Sequence, residues 1–357
     1  MAFQYGTFNL QDMLAVQVPV LEFGEDNAFQ AIQQALDVHN RLTDQILNEL
    51  VDVTTDQLRR YGGPNSMLMN EVDQWGIPDS QKITAGSNIG FPLRFYGLTL
   101  QWTRFALQRM LTSEVAAQAI AAQDADVKNL QLQLKRAIFT PTNSTFIDKS
   151  VNGLLLPVKA FLNADGAPIP LGPNGEIFNG STHTHYLGVT VADTPVVADV
   201  TGLIETVIEH YSVGQPFLFI NRAQEATVRG YTGFQAYYDD RVTVATTITR
   251  GNAALNPIAL YNRPIGILDG AEVWTKPWMI ANYMFAYMAN GMKPLVLRNP
   301  ALGATGLQIR ANDEMYPLRA ETFGHEFGVG VWNRPNGAVL DIHTGSSTYT
   351  VPTITVT

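Results

Sequence analysis

The chain has 357 residues, of which 46% are hydrophobic and only 15% are charged, whereas about a quarter of an average globular protein is charged. So little charge means that much of the surface must be covered, and contacts between copies are the ordinary way to cover it. The net charge of −9 excludes a protein that grips nucleic acid through a basic surface, and the lack of cysteine excludes disulfides and thiolate chemistry.

Residues 1–25 mix aromatic residues with proline and glycine and show no clear period, which predicts an extended arm. A helix is predicted next, because apolar residues recur at helical spacing from Phe29 to Val53. It should end near Tyr61, where Gly-Gly-Pro follows. His39 lies on the apolar line of this helix and is interpreted as a polar break in a packed stripe.

The stretch 61–100 contains six glycines and three prolines between short β-type runs. Within it, FYGLTLQW at 95–102 alternates apolar and polar residues, which predicts a half-buried strand. We predict a two-stranded ribbon that leaves the body and returns, with Gly62, Gly63 and Gly97 as hinges. A lone ribbon of this length is marginal in water, so we expect a neighbouring copy to cover it.

A long helix is predicted over Ser113–Ile138, because one face carries apolar residues at steps of three, four or seven: Ala116, Ile120, Val127, Leu130, Leu134 and Ala137. At 1.5 Å per residue it is about 39 Å long. A single apolar stripe predicts that it lies along a sheet or loop layer as a spine. Thr103–Leu111 is predicted as a separate short helical turn.

Residues 139–200 are rich in proline and in Asp-Gly and Asn-Gly turns, which predicts surface loops with short strands such as Leu154–Leu162. A compact αβ unit follows from Asp199, with a helix that ends at Gly214. Later strands are predicted at Phe217–Ile220, Ile265–Leu268, Ala271–Trp274, Tyr283–Ala289, Pro294–Arg298, Leu307–Ala311, Ala320–Val331 and Ala338–Ile342. The uncharged C-terminal TYTVPTITVT is predicted to pair with another strand, because an unpaired one would aggregate.

Short motifs that bind phosphates, present a serine nucleophile or form a zinc-protease site are absent from the sequence. His183 and His185 are the best metal candidate, because both rings would face the same side of a strand. No nearby carboxylate has clear ligand spacing, so we predict no metal, no cofactor and no catalytic residue. The sequence also has no apolar run of about 18 residues, so no membrane span is predicted.

The order of these parts resembles the Hong Kong 97-type fold of tailed-bacteriophage major capsid proteins. The run PFLFINRAQEATVRG at Pro216–Gly230 resembles the core of that family's axial domain, and PIGILDGAEVWTKPWM at Pro264–Met279 resembles its strand before a loop. FGVGVWNRPNGAVLDI at Phe327–Ile342 is similar to the late paired strands of its peripheral domain. The resemblance covers roughly residues 25–345 and is one of architecture.

This resemblance implies an α+β Hong Kong 97-like fold with an N-terminal arm, an extended β-hairpin loop, a long spine helix and an axial αβ domain. It divides the chain into five segments. These are the arm and first helix (1–60), the extended loop (61–102), the peripheral domain with the spine helix and a Pro/Gly-rich insertion (103–198), the axial domain (199–299), and the return strands with the C-terminal tail (300–357).

The function implied is that of a non-enzymatic major capsid protein. Its copies would form hexamers and pentamers of an icosahedral shell around phage double-stranded DNA, without sequence-specific DNA binding or a membrane. Scaffolding and portal proteins are the implied partners, and the virion capsid, assembled in the host cytoplasm, is the implied location. Two alternatives stay open: an encapsulin-type shell of a cellular nanocompartment, and a metal-dependent hydrolase that uses His183 and His185.

In this family the extended loop lies over the adjacent subunit. The apolar residues of the ribbon are therefore predicted as subunit-interface candidates, together with its one lysine: Met67, Leu68, Met69, Trp75, Ile77, Lys82, Ile83, Ile89 and Phe91. Some family members join a lysine of this loop to an asparagine of a neighbour, for which Lys82, Asn333 and Asn336 are the candidates here. We do not predict such a cross-link, because the residues show no carboxylate catalyst.

Overall fold

The computed structural model describes residues 9–61, 69–72, 74–78, 80, 86–237, 262–289, 291–303, 305–343 and 345–355, with the backbone alone at 44–47. Helices in these residues are α1 Leu10–Ala15, α2 Val20–Phe23, α3 Glu25–Leu47, α4 Arg104–Arg109, α5 Thr112–Phe139, α6 Val197–Ile208 and α7 Glu225–Arg229, with a 3₁₀ turn at Arg222–Gln224. Strands are β1 Val51–Thr54, β2 Leu58–Arg60, β3 Asn88–Gly90, β4 Arg94–Thr103, β5 Ser144–Asp148, β6 Leu154–Val158, β7 Tyr186–Gly188, β8 Gln215–Ile220, β9 Gln235–Ala236, β10 Arg263–Leu268, β11 Ala271–Thr275, β12 Tyr283–Ala289, β13 Leu295–Arg298, β14 Gln308–Met315, β15 Leu318–Val331 and β16 Ala338–Asp341. No helix among them combines the length and the apolar character needed to cross a membrane.

Helix α5 is the predicted spine, and its 28 residues extend one position beyond the predicted bounds at each end. Its first half packs with α1, α2 and α3 in a cluster that we call the arm core: it includes Leu10, Met13, Val20, Phe29, Ile32, Val115, Ala116, Ala119, Trp102 and Phe323. Its second half packs in the central core, which includes Leu130, Leu134, Ile138, Phe139, Phe219, Phe285, Tyr287, Leu295 and Phe327. One helix therefore belongs to both cores.

The first sheet has five strands and is built around β15. Its strand order is β1-β13-β15-β14, and β4 pairs with the other edge of the first part of β15. Ten residues of β4 pair antiparallel with β15, from Arg94 opposite Phe327 to Thr103 opposite Leu318. The odd-numbered residues of β15 from Arg319 to Val331 are all buried, as the period of two in a strand requires when helices cover one face.

The second sheet has seven strands in the order β7-β16-β12-β8-β11-β10-β9. Strand β12 alternates between its two faces, since Phe285 and Tyr287 enter the central core while Met284 and Met288 enter a third core under α6. Both faces of this sheet are thus covered. This sheet includes β7 and β16, which lie outside the segment 199–299 that was predicted as the axial domain. The division of the chain into five segments stays a prediction.

Two predictions for the N-terminal part are wrong. The arm is not extended in residues 9–25, because α1 and α2 fold back and bury Leu10, Met13 and Val20 in the arm core. Helix α3 ends at Leu47 instead of near Tyr61. The residues Val-Asp-Val-Thr that follow form β1, which pairs in parallel with β13, and branched side chains favour a strand over a helix.

Predictions for the later part are closer to the structure. Every strand predicted between Phe217 and Ile342 is present, and Asn221 begins the 3₁₀ turn, accepting a hydrogen bond from the Ala223 N–H at 2.9 Å. The C-terminal pairing is not found, because residues 345–355 form no strand. They are held instead by side chains: the Tyr349 hydroxyl donates to the Phe139 carbonyl oxygen at 2.7 Å, and the Tyr283 hydroxyl donates to that of Thr350 at 2.8 Å.

A buried carboxylate, Asp126, lies between the two cores on α5. Its two oxygens contact His39 Nε2 of α3 at 3.1 Å and His325 Nδ1 of β15 at 2.8 Å. Burial pushes the pKa of Asp126 up, but the hydrogen bonds from His325 and His39 outweigh burial, so the pKa lies below its ordinary value. His39, the polar residue expected to interrupt the apolar stripe of α3, therefore has a buried partner that lies 87 residues later in the sequence.

The central core gives a direct test of the spine. Leu130 is 2% exposed, so Leu130→Ala should lower the free energy of unfolding of the unassembled chain by about 2–5 kcal/mol, because it removes buried methyl groups and leaves a cavity. Lys128→Ala, two residues away and exposed, should change it by under about 0.5 kcal/mol. Equal shifts of the two denaturant midpoints would contradict the burial of this face.

A second buried carboxylate, Glu321 of β15, is 1% exposed, and its oxygens have no hydrogen-bond partner. Burial raises its pKa to about 7, against the attraction of Arg319. A carboxyl group whose pKa is raised on folding stabilises the fold fully below its ordinary pKa of 4.5, and this stability is lost as the pH rises to about 7. Above that, an ionised carboxylate is buried without a partner.

Replacing Glu321 should therefore change how stability depends on pH. Because an amide does not titrate, Glu321→Gln should remove a loss of roughly 1–3 kcal/mol that the natural chain suffers between pH 5 and pH 8. Urea unfolding at a series of pH values measures this. Glu71→Gln, at an exposed position, should keep the natural pH profile, and an unchanged profile in Glu321→Gln would contradict the shift.

Candidate functional site

The ribbon leaves the body from a small antiparallel pair. Leu58 of β2 lies opposite Gly90 of β3, and Arg60 lies opposite Asn88. Gly90 is needed at this point, because a Cβ on it would lie 2.6 Å from the Cβ of Leu156 in β6. The β2–β3 pair is therefore fastened closely to the β5–β6 hairpin.

The ribbon is shorter than predicted. Strand β4, which the prediction assigned to it, belongs to the first sheet, and Gly97 lies opposite Gly324 in the middle of that pairing. Gly97 is therefore not a hinge, because the residues before and after it along β4 are all paired with β15. The predicted hinges Gly62 and Gly63 lie outside the described residues.

Three predicted interface residues are strongly exposed within the described part of the ribbon. The exposed fraction is 105% for Met69, 76% for Trp75 and 78% for Ile77. Val72 beside them is also exposed. The predicted candidates Met67, Leu68, Lys82 and Ile83 lie outside the described residues. These four exposed apolar side chains form the kind of surface that is expected to bind another protein. Their role in contacting a neighbouring copy stays a prediction.

The predictions for Ile89 and Phe91 are wrong. Both side chains are fully buried, in a cluster with Tyr61, Val296 and Trp332. The Phe91 and Trp332 rings meet edge to face with centroids 6.1 Å apart. These two residues therefore anchor the base of the ribbon to the first sheet and are not available to a neighbouring subunit.

A second exposed apolar surface lies at the turn between β14 and β15, and the sequence analysis missed it. Met315 and Tyr316 are 77% and 84% exposed. Phe105 at the start of α4 is exposed as well, and the Arg104 N–H donates to the Pro317 carbonyl oxygen at 2.8 Å. Turns usually carry small or polar residues, so two large apolar residues directly before Pro317 are the sequence signal from which this surface could have been predicted.

The two asparagines considered for cross-linking are committed to the fold. The Asn333 side chain donates to the Tyr211 hydroxyl and the Met292 carbonyl oxygen, both at 2.9 Å. Asn336 is fully buried and donates to the carbonyl oxygens of Met288 and Met292 at 3.0 and 2.8 Å. Both amides are therefore engaged within the chain, and the expectation about cross-linking stays a prediction, because Lys82 lies outside the described residues.

The structure brings the two predicted metal-ligand candidates together with residues that the sequence analysis missed. His183 and His185 precede β7, while Glu209 and His210 follow α6, and we call these four residues the histidine cluster. The three histidine Nε2 atoms lie 3.0–3.1 Å from one another. The Glu209 Oε1 atom lies 3.3 Å from His183 Nε2 and 3.7 Å from His210 Nε2.

No protein-family model and no curated protein matches the chain. Among solved structures, the chain is similar to one from Mycobacterium phage Patience, with 20% sequence identity and a TM-score of 0.68 over 98% of this chain and 96% of the other. It is less similar to the capsid of a native GTA particle (14% identity, TM-score 0.46, 85% and 90% covered) and to the holo-SrpI encapsulin complex from Synechococcus elongatus (9%, 0.42, 87% and 90%). The predicted Hong Kong 97-type fold of phage capsid proteins is thereby confirmed.

The exposed ribbon residues can be tested by adding charge. Met69→Asp with Ile77→Asp should leave the circular dichroism and melting temperature of the unassembled chain unchanged, because both side chains are exposed, but should block assembly by burying unpaired carboxylates. Val213→Asp, a change of similar exposure at 82%, is the matched control outside the ribbon. Electron microscopy that shows normal particles from the double variant would contradict the interface role.

Proposed function

We propose that this chain is the major capsid protein of a tailed bacteriophage, a structural protein whose copies assemble into a closed shell. The observation that carries the proposal is the agreement of fold with a phage chain over nearly the whole of both chains. The shared fold therefore extends over nearly all of the chain described here, including both sheets and the long helix α5.

The distribution of apolar surface supports self-assembly. Two separate parts of one chain, the ribbon at Met69–Ile77 and the turn at Met315–Tyr316, expose large apolar side chains. A single chain cannot cover both by itself, whereas a lattice of copies offers several neighbours to each one. We infer hexamers and pentamers, because these two capsomers close a hexagonal lattice into an icosahedral shell.

Charge supports double-stranded DNA as the content of the shell. The chain carries 23 basic and 32 acidic residues, so a wall made of it would not hold phosphates through counterion release. A weakly acidic wall lets densely packed DNA move during entry and exit. We therefore infer that the chain makes no sequence-specific DNA contact.

The proposed role also implies partners and a location. We expect scaffolding and portal proteins to be encoded beside this chain, and we expect the shell to form in the host cytoplasm.

Electron microscopy and light scattering of the purified full-length chain test this proposal. We expect capsomers or closed particles of uniform diameter, with or without a co-expressed scaffolding protein, because the fold buries its remaining apolar surface only between copies. A chain that stays monomeric at micromolar concentration under both conditions would contradict the proposal. Particles that fill with an enzyme encoded beside the chain, and never with DNA, would favour the encapsulin alternative instead.

A further inference from the structure

The loop between the β5–β6 hairpin and β7 has little regular structure of its own. From Asn163 to His185 it forms turns and one isolated bridge, between Asn163 and Thr184. It begins beside the main body and returns to it at His183 and His185, where it meets the end of α6. We propose that the histidine cluster binds one divalent transition-metal ion of the zinc class, and that this ion fastens the 163–185 loop to α6.

Proton counting at the three rings favours a cation at their centre. The His185 Nδ1 atom lies 2.8 Å from the Gly337 carbonyl oxygen, which can only accept, so Nδ1 carries the proton and Nε2 presents a lone pair. At most two protons, on His183 and His210, then remain for three Nε2–Nε2 contacts. Every arrangement of two or fewer protons leaves two lone pairs or two N–H groups facing each other at about 3 Å, whereas a central cation accepts all three lone pairs.

The distances also fit the proposed ion. Zinc binds histidine nitrogen at about 2.0–2.1 Å in a tetrahedron, which places neighbouring ligand atoms roughly 3.3 Å apart. The three nitrogens lie 3.0–3.1 Å apart, and Glu209 Oε1 lies 3.3 Å from His183 Nε2 and 3.7 Å from His210 Nε2, so a small movement of this side chain would complete the set. A set of three imidazoles and one carboxylate suits zinc better than calcium or magnesium, which prefer oxygen ligands.

The histidine rings of the cluster are largely buried and held by packing. His185 is fully buried and the His210 side chain is 3% exposed, and Phe178 packs on the rings of His183 and His210 with centroids 4.9 and 4.4 Å apart. His210 Nδ1 has no hydrogen-bond partner, so packing against Phe178 holds this ring.

A fastening role fits this cluster better than a catalytic one. The cluster offers four protein ligands, the number found in structural zinc sites, whereas catalytic sites keep a position for water or substrate. The hydrogen bond from His185 to Gly337 orients the ring from the other side, as second-shell partners do. The ligands come from two segments that share no strand pairing, so the ion would add a cross-link that the backbone does not provide.

Metal content is the first test. The untagged full-length chain, purified from zinc-supplemented medium without chelator, should retain about one zinc ion per chain by elemental analysis. His183→Ala and His210→Ala should each lose it. His343→Ala, at a histidine whose side chain is 64% exposed, is the matched control and should retain it. A natural chain without zinc, or ligand variants that retain it, would overturn the proposal.

A spectroscopic test covers the case in which a ligand variant does not fold. The natural chain, stripped of metal and titrated with cobalt(II), should develop the intense visible bands of tetrahedral cobalt with a one-to-one endpoint, because cobalt replaces zinc in such sites. Glu209→Gln, at a partly exposed position, should shift these bands and weaken binding. Absence of tetrahedral bands in the natural chain would overturn the proposal.

The loop itself gives the third readout. Glu176 lies in its middle and is exposed, so a protease specific for glutamate can report loop opening by cleavage at this site. Removing the metal from the natural chain should speed cleavage at Glu176 by roughly tenfold or more, because cleavage follows the open population. The cleavage rate in His343→Ala should respond equally, and that in His183→Ala should already be fast. Metal-independent cleavage of the natural chain would refute the fastening role, whatever the shell assembly test shows.

Discussion

The paired carboxylate of Asp126 fixes the position of the helix on which the rest of the fold depends. Helix α5 belongs to both the arm core and the central core, and apolar packing alone tolerates small shifts along a helix axis. A shift of one turn, about 5.4 Å, would separate Asp126 from both histidines that contact it. A buried carboxylate without partners is costly, so the contacts with His39 and His325 select one register for α3, α5 and β15 together.

The two ends of the chain differ in how much of their structure could be predicted from the sequence. The later strands are short apolar runs between glycine and proline, so each carries its own signal. The N-terminal part does not: α1 has six residues and α2 four, too few to display a helical period. The predicted end of helix α3 lies too far along the chain, because Leu50 and Val53 happen to continue the helical spacing. Val51–Thr54 instead pairs with β13, more than 240 residues later. Tertiary pairing overrode the local period there.

Candidate sites were predicted less well, and for a related reason. Composition identifies apolar residues near a glycine-rich ribbon but not what covers each of them. Phe91 is covered by Trp332 of the same chain, whereas Ile77 is exposed, and nothing in the local sequence distinguishes them. Likewise, His183 and His185 acquire Glu209 and His210 as neighbours only through the packing of α6 against the seven-stranded sheet. A spacing of 25 residues between ligands matches no motif.

The turn between β15 and β16 shows how one short segment organises several distant ones. Arg334 is fully buried and donates to the carbonyl oxygens of Ala160 and Phe161. Two residues later, the Asn336 side chain donates to the Met288 and Met292 carbonyl oxygens at the β12–β13 turn, and the Gly337 carbonyl oxygen accepts a hydrogen bond from His185 Nδ1. A Cβ on Gly337 would lie 2.5 Å from the Phe161 ring, so only glycine allows this close approach.

These contacts have a consequence for the proposed assembly, in which each chain would meet several neighbours. The contacts from Arg334 and Asn336 are buried within one chain and involve no neighbouring copy. They therefore hold the start of the loop and the seven-stranded sheet together within each chain. In the proposed shell, adjustment to different positions would therefore fall to parts outside this network. These are the exposed ribbon and the β14–β15 turn, whose large apolar side chains are exposed in the single chain.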